Sequence, residues 1–273
     1  MRISLPMRAD GLAFPSRRLL GLFRTYLHWY VPRHFHGVRI AHVERCPQGP
    51  SIGGPSIGSP SAPLIVYLNH PSWWDPLTGA LVSHHLYPDR DHYTPMDEQA
   101  LAHYNFFRRL GVFPVELGTR RGAAQFLRST MTALTERNAV LWLTPQSAFT
   151  DVRARPLAFR RGLAALAARV SGVTVLPIAI EYTYWNERLP EILVNIGEPL
   201  RSDSAQTAGA LEAALTATLE ELAALGMTRD QAAFQTLLRG SSGTGGVYDP
   251  WQRLRALLRG RKYRPEHGDI HRP

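Results

Sequence analysis

Apolar positions recur along the chain with two different periods, and each period predicts a different element. Over residues 16–31, Leu19, Leu20, Leu22, Phe23, Tyr26, Leu27 and Tyr30 fall at helical spacing, with Arg17, Arg18 and Arg24 on other faces. Further on, short apolar runs alternate with longer amphipathic ones. "APLIVYL" reads as a buried strand, "PLTGALVSHHL" as a helix, "DHYTPM" as a strand, and "DEQALAHYNFFRRL" as a helix opened by an acidic cap. "GVFPVE" reads as a short strand, "TRRGAAQFLRSTMTALTER" as a helix, "AVLWLT" as a strand, "RRGLAALAARV" as a helix, and "VTVLPIAIEY" and "EILVNIGEPL" as strands. Strands alternating with helices predict an α/β fold: a central mixed, largely parallel sheet flanked by helices, with helical N- and C-terminal extensions. In such sheets ligands sit beyond the carboxyl ends of strands. "NHPSWWD" and "TPQSAFTD" stand at two of those ends.

The same pattern divides the chain into one domain with appendages. Residues 1–46 are expected to be helical and to lie either on the core or on a membrane surface, with aromatics at headgroup level and arginines reaching phosphates. Residues 47–63 carry the repeat GPSIG twice, and their Gly and Pro predict a flexible loop. Residues 64–200 form the core. Residues 201–273 are expected to be a helical extension: an Ala/Leu-rich helix capped by Ser202 or Ser204, a break at 241–246, and a basic amphipathic helix holding Trp251, Leu254, Leu257 and Leu258. That last helix reads as a solvated tail or as a lipid-facing one.

Composition narrows the partners. The net charge is +9, and Lys262 is the only lysine, so nearly all the positive charge is arginine. A guanidinium fork matches phosphate oxygens. Anionic partners are therefore expected, and an anionic membrane surface fits better than nucleic acid, for which no binding signature appears. No run of about 18 apolar residues exists, so no spanning helix is expected, and the opening residues lack the pattern of a signal peptide. With Cys46 alone, no internal disulfide is possible. His84, His85, His92 and His103 lack the spacing and the Cys or carboxylate partners of a metal centre, so no metal or cofactor is expected.

The chemistry gathers at "YLNHPSWWDP". Pro71 disfavours a helical His70 and predicts a turn there. Such a turn can fold Asp75 back onto the imidazole, fix its tautomer and leave the other ring nitrogen as a general base. Taken alone, the spacing fits a structural histidine and a helix-capping aspartate at least as well. No G-x-S-x-G nucleophile elbow is present. The pair therefore suits direct deprotonation of a substrate hydroxyl. Trp73 and Trp74 lie between the two residues and read either as core or as an apolar wall beside a substrate.

Four ordered stretches, "NHPSWWD", "GVFPVE", "LTPQSAFTD" running on to "FRRG", and "VLPIAI", make the region of about 60–200 resemble the glycerolipid (lysophosphatidic acid) acyltransferase family. The resemblance implies acyl transfer from acyl-CoA or an acyl-carrier protein to the hydroxyl of a lysophospholipid or other lipid. His70 would be the general base and Asp75 its orienting partner. It also implies a peripheral, monotopic enzyme on the cytoplasmic face of a membrane. Asn69, Trp73, Trp74, Arg120, Gln146, Ser147, Arg153, Arg155 and Arg160 are the expected substrate-binding residues. The chain departs from the family where the acceptor is expected. Glu116 closes the second block in place of an arginine, and Gln146 and Ser147 replace the glutamate and glycine of the third. A glycolipid or carotenoid-type acceptor, or lipid binding without turnover, therefore stays open.

Overall fold

The computed structural model describes residues 12–47, 62–135, 139–201 and 207–242. Its strands are β1 (Gly37–Ala41), β2 (Leu64–Leu68), β3 (Asp91–Asp97), β4 (Val112–Val115), β5 (Ala139–Leu143), β6 (Thr174–Thr183), β7 (Glu191–Ile196), β8 (Leu200–Arg201) and β9 (Gln235–Arg239). The helices are α1 (Arg17–His34), α2 (Asp75–Leu86), α3 (Glu98–His103), α4 (Arg120–Thr135), α5 (Gly162–Ala167) and α6 (Ala208–Thr228). One sheet runs in the order β4-β3-β5-β2-β6-β7-β1-β9, with β8 beside β6. Strands β2 to β6 pair in parallel, while β7, β8 and β9 each enter one antiparallel pairing. The expected mixed, largely parallel α/β sheet is what forms.

Strands β1, β2, β5 and β7 are buried along their whole length. That is why β2 and β5 read as unbroken apolar runs and not as alternating ones. Alternate residues still serve opposite faces. Ile65, Tyr67, Leu141 and Leu193 join one core with residues of α4, α5 and α6, while Leu64, Val66, Val140 and Val194 join a second with residues of α1 and α2. Leu27 and Val31 anchor α1. Burial of such a side chain contributes about 1.5–3 kcal/mol.

Two strands correct the expected extensions. β1 lies within 1–46 and pairs in parallel with β7; β9 lies within 201–273 and pairs antiparallel with β1. Local pattern hid β1 because Arg39 interrupts it. Its guanidinium donates to the Glu191 carboxylate (3.1 and 3.2 Å), which also meets His36 Nδ1 at 2.5 Å. Burial raises the Glu191 pKa, but the bonds from His36 and Arg39 outweigh it and hold the carboxyl below its usual value. His36 Nε2 reaches Ser242 Oγ at 3.2 Å, which ties the chain beyond β9 to the same cluster. α6 is capped by Thr207, whose side chain accepts from Ala210 N–H. Ser202, Ser204 and the expected basic helix near the C-terminus lie outside the described residues, as does most of the 47–63 loop. The expected helix over "DEQALAHYNFFRRL" is capped by Asp97 but stops at His103, and a 3-10 turn (Asn105–Leu110) takes over. Among the described residues no helix is long and apolar enough to cross a membrane.

Candidate active site

Strand β2 delivers Asn69 and His70 to its carboxyl end, and Pro71 turns the chain before α2 begins at Asp75. The turn closes through Asp75 N–H donating to the Ser72 carbonyl at 3.2 Å. Asp75 then faces back. His70 Nδ1 lies 2.6 Å from its Oδ2, which also accepts from Ser72 N–H at 3.1 Å. Tyr182, near the end of β6, donates its hydroxyl to the other oxygen at 2.7 Å and meets Thr78 Oγ1 at 3.0 Å. A carboxylate only accepts, so Nδ1 carries the proton and Nε2 keeps its lone pair. The Asp75 carboxylate is almost wholly buried, while the His70 side chain keeps 19% of its surface open. Burial, reinforced by the neighbouring Asp75 charge, raises the Tyr182 pKa far above its usual value. Its hydroxyl therefore stays protonated and stays a donor.

The backbone of His70 is gripped from both sides by the loop after β5. Its N–H donates to Gln146 Oε1 at 2.9 Å, and its carbonyl accepts from Thr150 N–H at 2.9 Å. Gln146 is buried. The resemblance makes it a substrate ligand; in this structure its amide oxygen holds the histidine turn. Asn69 is corrected in the same way. Its buried amide accepts from Ile180 N–H and donates to the Ile180 carbonyl, both at 2.8 Å, and so continues the β2–β6 ladder by one residue. Ser147 adopts a left-handed backbone with φ of 56°. That conformation favours glycine, the residue of the family pattern at this position.

The remaining expected residues spread around this centre. Trp74 packs into an aromatic group, edge-on to Phe35 at 4.8 Å and near His34 and Tyr30, so it serves the core at the end of α1. Trp73 is 59% exposed. Arg153 is paired with its neighbour Asp151, and Arg155 donates to the carbonyls of Val152 and Ala154. These two, with Arg120 and Arg160, lie exposed on the surface. Sequence reasoning missed Tyr182, and it missed Phe149, an exposed ring 4.5 Å from the His70 imidazole. Tyr182 sits two residues past the apolar run of the fourth block, which is its one signal in the sequence. Among the histidines weighed as metal ligands, His92 is a core residue. Nδ1 accepts from Trp142 Nε1–H, Nε2 donates to the Tyr87 carbonyl, and burial lowers its pKa to about 4.

Tyr182→Phe removes one charge-assisted bond to Asp75, a contribution of about 1.5–3 kcal/mol. If about half of that is felt in the transition state, kcat is expected to fall roughly tenfold. Steady-state kinetics check it: both KM values should hold, and a variant as fast as wild type would show that Tyr182 does not support the pair.

The arrangement is a partly open imidazole with a buried, triply bonded carboxylate behind it. Among the described residues no side-chain hydroxyl or thiol is bonded to its Nε2. The family model described as Acyltransferase matches residues 38–181, a span running from β1 to β6 and containing His70, Asp75 and Gln146. Among solved structures, the chain is similar to the 1-acyl-sn-glycerophosphate (LPA) acyltransferase PlsC from Thermotoga maritima. The TM-score is 0.51 and the identity 15%, over 77% of this chain and 79% of that one. No curated protein matches.

Proposed function

Because the chain belongs to the acyltransferase family, we propose that it moves a fatty acyl group from acyl-CoA or an acyl-carrier protein to a lipid hydroxyl, with His70 as general base. The observation that carries this reading is the 2.6 Å bond from His70 Nδ1 to a carboxylate that also accepts from Tyr182 and Ser72. His70 Nε2 takes the proton of the acceptor hydroxyl, and the oxygen attacks the thioester carbonyl. The C–S bond breaks as the tetrahedral oxyanion collapses, and the proton held on His70 passes to the departing thiolate. The products are an ester and a free thiol. Asp75 balances the imidazolium while it exists. Mass spectrometry of lipids from cells with and without the protein tests the reading. One new acyl ester should appear, and it should be missing when His70 is alanine. An identical lipid profile with and without the active protein would defeat the proposal.

The site is proposed to work at an anionic membrane surface, on the cytoplasmic side where such thioesters are made. A chain of ring contacts runs from Trp73 through Trp74, Tyr30, Tyr26 and Phe23 to Phe106. Trp73, Phe106, Tyr26, Trp29 and Leu22 along it are more than 40% exposed. Arg18 and Arg33 flank the Leu22–Tyr26–Trp29 stripe on α1. Apolar rings between basic ends suit the headgroup layer of a lipid bilayer. Flotation with phosphatidylglycerol vesicles is expected to lift the protein, and the double variant Tyr26→Ser/Trp29→Ser to weaken binding roughly tenfold. Flotation unchanged in that variant would remove α1 from the contact.

A further inference from the structure

A cavity of about 640 Å³ opens beside β4, lined by Glu98, Arg108, Pro114, Glu116, Arg121 and Gln125. It lies away from His70 but on the same edge of the sheet. Glu98 follows the last residue of β3 and Glu116 the last of β4, and both strands run parallel in the part of the sheet that carries His70 at the end of β2. With β3 two strands and β4 three strands from β2, the separation is roughly 10–14 Å at ~4.8 Å per strand.

The lining has an unusual charge economy. Two carboxylates and two guanidiniums surround one space, yet among the described residues none of the four is in an ion pair. The wall is also fixed. Gly122 packs so closely on Glu116 that an added Cβ would stand 1.8 Å from the Glu116 carbonyl oxygen. The first turns of α4, which carry Arg121 and Gln125, are thereby held against Glu116.

We propose that this cavity seats the head group of the acceptor and selects a neutral, hydroxyl-rich one, a sugar or polyol, over a phosphate monoester. The inference rests on the lipid acyltransferase reading above. A hydroxyl both donates and accepts, so carboxylates, guanidiniums and an amide can all bind the same sugar. A phosphate dianion finds two guanidiniums here and two like charges.

Binding measured on the His70→Ala protein isolates this from turnover. The probes are dodecyl maltoside below its micellar concentration and 1-lauroyl-glycerol-3-phosphate, titrated by calorimetry. The maltoside is expected to bind at least tenfold more tightly. Glu116→Arg should reverse the order, and Glu116→Gln, which keeps an acceptor but loses the charge, should narrow the gap. Tighter binding of the phosphate probe, or an order indifferent to both Glu116 variants, would overturn the proposal. If the binding order is as expected but the wild-type protein transfers no acyl group to any glycolipid, the acyltransferase reading of the site fails, and the head-group preference stands as a property of the cavity.

Discussion

His70→Ala is expected to lower acyl transfer by roughly 10³–10⁴-fold, at the upper end of what a positioned general base contributes. The fold should survive, because the imidazole is one-fifth exposed and its backbone, held by Gln146 and Thr150, is unchanged. The measurement is thiol release from a fatty acyl thioester in the presence of acceptor, alongside a melting curve. Turnover within tenfold of wild type at an unaltered melting temperature would refute the assignment. Asp75→Asn should cost less, on the order of 10²-fold. In many His–Asp pairs an asparagine forces the wrong imidazole tautomer, which is what makes that substitution severe. Here the introduced amide has somewhere else to point. Tyr182 can turn its hydroxyl to accept from the new NH₂ group, so the amide oxygen can stay on His70 Nδ1 and the tautomer survives. What is lost is the charge that balances the imidazolium.

Gly111→Ala is expected to be strongly destabilising. Gly111 ends the 3-10 turn and has φ of 96°, a conformation costly for any side chain. Its Cα also faces β3 so closely that an added Cβ would lie 2.0 Å from the His92 carbonyl oxygen. Backbone stands on both sides of that clash, so no side chain can move to relieve it. The Gly111 carbonyl accepts from Thr94 N–H at 3.2 Å, so a shift there also opens the β3–β4 edge. A loss of roughly 3–4 kcal/mol follows from strain plus clash. At ~2–4 °C per kcal/mol for a chain of this size, the melting temperature should fall by about 6–16 °C. Calorimetry decides it, and an unchanged transition would mean the β3–β4 edge accommodates the methyl freely.

The expectations that came true are those with a local cause. Buried-on-both-faces strands announce themselves as apolar runs, and the ordered blocks built on them located the region that the family model also matches. Pro71 correctly predicted the turn that brings Asp75 back to His70. The failures share a different cause. Arg39 looks foreign to a buried strand until Glu191, 152 residues later, supplies its counter-charge. Asn69 and Gln146 are polar residues beside His70, and sequence alone makes such residues look like substrate ligands. Whether an amide faces a ligand or a backbone depends on where Ile180 and His70 arrive, and only the assembled sheet sets that. Ser147 takes a left-handed backbone, a conformation that favours glycine and that its side chain does not announce.

The way His70 is held has a further consequence, for synthesis. Its neighbours in the site are Asp75, then Gln146 and Thr150, then Tyr182, with Asn69 waiting for Ile180. A nascent chain that has emerged only as far as β5 carries the H-x4-D sequence without the tyrosine that braces the aspartate or the strand that braces the asparagine. Long-range pairings of this kind form late. The assembled site should therefore be absent from a chain still on the ribosome until β6 is released, and appear only once that strand has docked beside β2.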